Sequence, residues 1–166
     1  MEAHAAAAAA TVGMVAGTAF KLLGMIKPRY ALKGDDGKAL LQHPYRPWQE
    51  VPDEHREGAE KAYRAFKAFE NSKEWMLLTL PLVWVFSTCG EAVPRLPQAG
   101  VQVITAGLSA GYILGDHLFF SGYCQSASKR IKGFRIRTNC CKALIALASV
   151  SAACLGLRAL GVPLPA

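Results

Sequence analysis

Charged and aromatic side chains recur at helical spacing near residue 120, where a long uncharged stretch ends. Asp116, Tyr123 and Arg130 are seven residues apart, and Phe119 follows Asp116 by three. If one helix carries all four, they lie on a single stripe of its surface. A carboxylate, two rings and a guanidinium can together bind a polar ligand. Since a membrane helix would leave the hydrocarbon here, we take residues 115–137 as the candidate site.

A second polar set precedes another apolar run. Lys67, Asn71 and Glu74 have the spacing i, i+4 and i+7, which places them on one helix face. Polar groups at the margin of a membrane must face protein or a water-filled cavity, because lipid offers them no hydrogen bonds. The alternative is a solvated amphipathic helix that leads up to the membrane.

Composition indicates a membrane protein with one domain, residues 1–166. Half of the residues are apolar, and the few charged ones are clustered between long uncharged runs. The net charge of +7 does not indicate nucleic-acid binding, because the bases lie beside apolar runs and are not interleaved with aromatic residues. The five cysteines lack metal-ligand spacing, so no metal site is predicted.

Four apolar segments are long enough to cross a bilayer, which predicts an all-α, integral membrane four-helix bundle. We expect Lys21, which interrupts the first segment, to extend toward the nearer membrane surface. Pro28 is expected to end that helix, and Pro81 to kink the second. A polar loop is predicted at residues 33–58. The segments are residues 5–26, about 59–88, 101 to about 127, and about 138–160.

Two basic connections determine the expected orientation. One joins segments one and two, and the other, with Arg130 and Arg137, joins segments three and four. By the positive-inside rule both face the cytosol, and both termini face the lumen or its equivalent. The end of segment one, the start of two, the end of three and the start of four therefore meet at one membrane face.

Two motifs in these regions resemble the membrane-associated eicosanoid and glutathione metabolism (MAPEG) family. Asn71-Ser72-Lys73-Glu74-Trp75, preceded by Arg64-Ala65-Phe66-Lys67, is similar to the family's second-helix motif. The more specific match, to the third-helix motif, is residues 117–123 followed by residues 129–135. It looks most like the branch of microsomal glutathione transferases and leukotriene-C synthase. The first helix matches only through Lys27-Pro28-Arg29.

The resemblance implies a homotrimer in the endoplasmic reticulum (microsomal) membrane, with glutathione bound between neighbouring subunits. It implies that Lys67, Asn71 and Glu74 grip the carboxylates and backbone of glutathione, and that Tyr123 adds a contact from the neighbouring subunit. Arg29 assists from the first helix. Arg130 faces the thiol as the catalytic residue and favours the nucleophilic thiolate. The implied reaction is conjugation of glutathione to a lipophilic electrophile from the bilayer, with glutathione peroxidase activity as a further reaction.

Four departures from the family pattern predict a weaker anion site. Lys67 replaces an arginine and loses its bidentate fork. Asp116 stands where arginine is usual, which puts a negative charge near an anionic substrate. Phe119 and Trp75 each replace a tyrosine. These changes motivate an alternative function: a structural or lipid-presenting subunit of a larger membrane complex, related to the family but catalytically weakened.

Each candidate residue also has an explanation that needs no ligand. Tyr123 is then an aromatic residue of the membrane interface, and Arg130 belongs to a positively charged flank. Asn71 and Glu74 then form hydrogen bonds that join their helix to a neighbouring one. His117 is interpreted as a packing or interface residue. Asp116 pairs with a nearby Lys or Arg at the membrane edge.

Overall fold

The computed structural model describes residues 4–31, 33, 37 and 51–164. Four long helices follow one another: α1 (Ala5–Ala31), α2 (Arg56–Cys89), α3 (Gln98–Gln125) and α4 (Ile131–Ala159). Short 3-10 turns at Asp53–His55 and Gly90–Ala92 flank α2. Each of the four helices contains a stretch long and apolar enough to cross a bilayer. The prediction of an all-α, integral membrane four-helix bundle is confirmed. Most of the predicted loop at residues 33–58 lies outside the described residues.

Two helix ends differ from the sequence prediction. Pro28 lies inside α1, which continues to Ala31. A proline removes one backbone hydrogen bond, a loss that membrane helices accommodate, so it does not end this one. The helix α4 begins at Ile131, seven residues before the predicted start. The sequence prediction places Lys132, Arg135 and Arg137 in a turn, but Lys and Arg have high helix propensity. Pro81 lies inside α2.

Glycines bring α3 and α4 into backbone contact. A Cβ atom on Gly133 would collide with the backbone of Phe119 and Leu118, and one on Gly122 would meet the carbonyl of Lys129. Gly115 lies equally close to the backbone of Arg137. Close approach through small residues is the usual way in which membrane helices pack. Gly111 likewise faces the Cys140 side chain of α4, whereas Gly107 faces open space.

The apolar core runs the length of the bundle. Its centre is formed by Met14, Val83, Tyr112 and Leu144, one from each helix. At the end of the bundle where α1 begins, the backbone N–H of Ala6 donates to Gln102 Oε1 across 3.2 Å. The start of α1 thus lies against the start of α3, as the alternating topology requires. The opposite end of the bundle therefore holds the end of α1, the start of α2, the end of α3 and the start of α4.

Candidate functional site

A buried charged cluster joins all four helices at that end. Lys21 forms an ion pair with Asp116 Oδ2. Arg137 donates through Nη1 to Asp116 Oδ1 and through Nη2 to Asn71 Oδ1, each across 2.7 Å. Lys21 and Asp116 are both 4 % exposed, and Arg137 is completely buried. We call Lys21, Asn71, Asp116 and Arg137 the buried cluster.

The buried cluster corrects three sequence predictions. Lys21 does not extend to the membrane surface, because the carboxylate of Asp116 holds it inside the bundle. Arg137 is a core residue of α4 and not a base of a cytosolic turn. Asp116 pairs with two bases, as the explanation without a ligand predicts, but it is buried rather than at the edge. Its negative charge is therefore neutralised within the bundle.

Aromatic rings enclose the Arg137 guanidinium. Its central carbon lies 4.2 Å from the centroid of the Phe119 ring and 4.9 Å from that of Trp75. The Phe134 ring is 6.0 Å away. Such cation–π contacts stabilise a buried cation. Two of the departures from the family pattern, Phe119 and Trp75, thus have a structural role beside this arginine.

Beside the buried cluster lies a pocket of about 600 Å³ between α2, α3 and α4. Four of the six predicted site residues line this α2–α3–α4 pocket together: Lys67, Asn71, Tyr123 and Arg130. All four belong to one chain, so Tyr123 reaches the others without a neighbouring subunit. The remaining lining residues are Tyr63, Phe119, Ile131 and Phe134.

The other two predicted residues are not in this lining. Glu74 is exposed on α2, one turn beyond Asn71. Arg29 lies in α1, and its side chain is outside the described part of the chain. Among the described residues, no cluster of His, Cys, Asp and Glu is suited to hold a metal ion.

Aromatic stacking positions Arg130, but Arg130 does not lie on one helix face with Asp116 and Tyr123 as the sequence predicts. The helix α3 ends at Gln125, so Arg130 follows the turn and does not share a helix with Asp116, which corrects that prediction. The chain folds back, and the Arg130 guanidinium lies 5.0 Å from the centroid of the Tyr123 ring. Tyr123 in turn stacks on Phe119, with centroids 5.7 Å apart and planes inclined by 11°. The guanidinium is exposed at the edge of the pocket.

Two further side chains determine the polarity of the α2–α3–α4 pocket. Lys67 pairs with Glu70 across 3.0 Å and lies 5.8 Å from the centroid of the Tyr63 ring. A guanidinium only donates, so the atom of Asn71 that faces Arg137 is the carbonyl oxygen. The remaining polar group of Asn71 is its amide NH₂, a donor. The pocket therefore offers the Arg130 guanidinium, the Lys67 ammonium that is shared with Glu70, and an amide donor, a set suited to an anionic ligand.

Sequence reasoning missed Arg137 as the partner of Asn71. The available signal was charge balance inside the membrane segments. Lys21 and Asp116 both fall in apolar runs, where ionisable groups must pair. Two carboxylate oxygens can accept from two bases, and Arg137 is one of the bases at the start of segment four, at the same membrane face. Helical spacing alone does not reveal it, because α3 and α4 meet only after the chain turns.

Comparison with known proteins gives two similar sequences. The chain is 30% identical over 100 residues to microsomal glutathione S-transferase 2 of Homo sapiens and, equally, of Mus musculus. The alignment covers 60% of this chain, which spans 57% of the length of each relative. No protein-family profile matches the chain. The similarity to a membrane glutathione transferase agrees with the resemblance of the two motifs to the MAPEG family.

Proposed function

We propose that this chain is a MAPEG-family membrane glutathione transferase that joins the thiolate of glutathione to lipophilic electrophiles. One observation carries the proposal: Lys67, Asn71, Tyr123 and Arg130, each predicted from the family motifs, line a single pocket. The 30% identity to microsomal glutathione S-transferase 2 supports the proposal independently of the pocket geometry. Glutathione is the co-substrate.

Charge explains how the α2–α3–α4 pocket would hold glutathione. The peptide has two carboxylates and one ammonium group at neutral pH, so it carries a net negative charge. Lys67 and Arg130 attract that charge, and the amide of Asn71 donates to a carboxylate or carbonyl oxygen. A pocket of about 600 Å³ lies within the range of ordinary small-molecule sites. The negative charge of Asp116, neutralised behind the pocket wall, does not oppose binding.

Arg130 stabilises the reactive form of the thiol. Its guanidinium favours the thiolate, which is the nucleophile. The thiol releases its proton to water, the sulfur forms a bond to the electrophilic carbon, and the leaving group departs as an anion with the electrons of its bond. With a hydroperoxide, the thiolate attacks oxygen to give an alcohol and a sulfenic acid. A second glutathione then converts the sulfenic acid to glutathione disulfide and water.

The electrophile would enter from the lipid side. Ile131 and Phe134 line the α2–α3–α4 pocket and are 49 % and 42 % exposed. Exposed apolar residues on a membrane helix contact acyl chains, where a lipophilic electrophile concentrates. This edge of the pocket therefore joins the bilayer to the position of the thiolate.

The proposal includes a homotrimer in the endoplasmic reticulum membrane, by analogy with the family. Glutathione then lies near a subunit boundary, and Arg29 and Glu74 contribute binding groups there. Native mass spectrometry in mild detergent should give a trimer mass, and fluorescence microscopy should place the protein in the endoplasmic reticulum. Purification of a single copy firmly bound to unrelated subunits would contradict the trimeric enzyme and favour the alternative of a structural subunit.

Thiolate formation is the direct test. Glutathione added to the purified protein should give an ultraviolet thiolate absorbance, and a lipophilic aryl halide should be conjugated. Arg130→Ala should lower kcat/KM about a hundredfold and abolish the absorbance, whereas Arg130→Lys should retain part of both. Arg158→Ala is the control, because Arg158 lies at the opposite end of α4. If neither the wild type nor any variant binds glutathione, the proposal is wrong.

A further inference from the structure

A second pocket lies on the outer side of the α3–α4 turn and is not used by the proposed reaction. It has a volume of about 580 Å³. The side chains that decide its character are three bases, Lys129, Lys132 and Arg135, and two apolar residues, Leu118 and Ile131. We call it the turn pocket. No Asp or Glu is among the described residues that line it.

No described carboxylate lines the turn pocket to balance the charge of its bases. The sequence has no acidic residue after Asp116, and Asp116 is committed to Lys21 and Arg137. Lys129 donates to Gln125 Oε1 across 3.0 Å, a contact with a neutral amide. Lys132 and Arg135 are three residues apart on α4 and therefore project from one side of the helix. Three exposed bases thus surround a concave site with a strong positive potential.

The position of the turn pocket restricts its ligand. It spans the end of α3 and the start of α4, where the chain leaves and re-enters the membrane. Leu118 is about 10 Å deeper along α3 than Gln125, at about 1.5 Å per residue. The site therefore has its bases near the headgroup level and an apolar floor toward the hydrocarbon, which matches the two parts of a phospholipid.

We propose that the turn pocket binds an anionic phospholipid of the surrounding leaflet. The phosphate of the headgroup lies among Lys129, Lys132 and Arg135, and Ser121 and Ser128 at the rim are within the same lining. The acyl chains pass over Leu118 and Ile131, both partly exposed. Juxtamembrane bases attract anionic lipid in this way, each strengthening the interaction. The proposal does not depend on glutathione binding, because the two pockets share only Ile131 in their described lining and none of the charged side chains.

The test compares four probes bound to the purified full-length protein in non-ionic detergent, measured by native mass spectrometry. The probes are dioleoyl phosphatidylglycerol, dioleoyl phosphatidylcholine, glycerol phosphate and inorganic phosphate. The anionic lipid should bind most tightly. Lys129→Ala/Lys132→Ala/Arg135→Ala should weaken its binding at least about tenfold. Lys129→Arg/Lys132→Arg should keep it, since the positive charge remains.

A matched control distinguishes specific lipid binding in the turn pocket from nonspecific attraction of anionic lipid to a basic protein. Arg56→Ala/Lys61→Ala/Lys73→Ala removes the same charge from exposed positions of α2. It should leave lipid binding within about twofold of the wild type, because none of these three bases, which are spread along the first half of α2 to Lys73, lines the turn pocket. Equal weakening by both triple variants would overturn the proposal, as would a failure of the wild type to prefer phosphatidylglycerol over phosphatidylcholine. Binding of glycerol phosphate or inorganic phosphate as tight as that of the lipid would assign the pocket to soluble phosphates instead.

Discussion

The buried cluster and the α2–α3–α4 pocket lie on either side of the Phe119 ring, and they differ in how their charges are satisfied. In the buried cluster, one carboxylate pairs directly with two bases, and all three side chains are almost completely buried. In the pocket, Arg130 contacts an aromatic face and keeps an exposed guanidinium. Paired charges hold helices together, whereas an accessible cation is available to a ligand.

Asn71 is the residue that both regions share. Its carbonyl oxygen accepts from Arg137 in the buried cluster, and its side chain also lines the α2–α3–α4 pocket. Phe119 has a similar double position, since it contacts the Arg137 guanidinium and stacks on Tyr123. The buried cluster therefore positions two parts of the pocket wall. Changes in the buried cluster should affect stability first, and changes in the pocket should affect ligand binding first.

Removing the shared carboxylate should give the largest effect. Asp116→Ala leaves Lys21 and Arg137 buried without a counter-charge, which should cost about 3–5 kcal/mol of unfolding free energy. Thermal unfolding in detergent measures this loss. The triple variant Lys21→Met/Asp116→Ala/Arg137→Met should recover most of it, because no buried charge remains. If Asp116→Ala alone is as stable as the wild type, the cluster does not hold the bundle together.

The next largest effect should come from the α3–α4 contact that aligns the two regions. Gly133→Ala would force its Cβ into the backbone of Phe119 and separate the helices. We expect a loss of roughly 1–3 kcal/mol in unfolding free energy, as for other overpacked sites. Gly107→Ala is the matched control, since a Cβ there meets open space. Equal stability of both variants would mean that close packing at Gly133 is dispensable.

The sequence predicted the bundle better than it predicted the site. Long apolar runs are a local property, so four membrane helices and their antiparallel order follow from composition and length. The meeting of Lys67, Asn71, Tyr123 and Arg130 also follows, because helix ends at one membrane face must converge. The partner of a buried charge is a long-range property, and so the prediction from sequence wrongly places Arg137 in a turn and Lys21 at the membrane surface. A single charged side chain in a membrane helix is expected to extend toward the membrane surface. That expectation fails when another helix supplies a charge of opposite sign inside the bundle.

A substitution at Asn71 should separate binding from stability. Asn71→Asp keeps an oxygen acceptor for Arg137, so the melting temperature should stay within a few degrees of the wild type. It replaces the amide donor by a negative oxygen in the α2–α3–α4 pocket, and repulsion should raise the KM for glutathione roughly tenfold. Asn71→Ala is the comparison, because it removes both groups and should lower stability as well. An unchanged KM in Asn71→Asp would place glutathione away from this residue.

The smallest expected effect concerns the cation at the rim of the same pocket. Lys67→Arg supplies a planar fork that binds a carboxylate with two hydrogen bonds, where an ammonium acts as a point charge. The KM for glutathione should fall about threefold, with kcat nearly unchanged, because in the proposed site this group binds a carboxylate of the peptide and not the sulfur. Lys61→Arg on the exposed surface of α2 makes the same chemical change outside the pocket and should leave KM unaltered. Equal KM values for the two variants would show that Lys67 is a solvated partner of Glu70 and not part of the glutathione site.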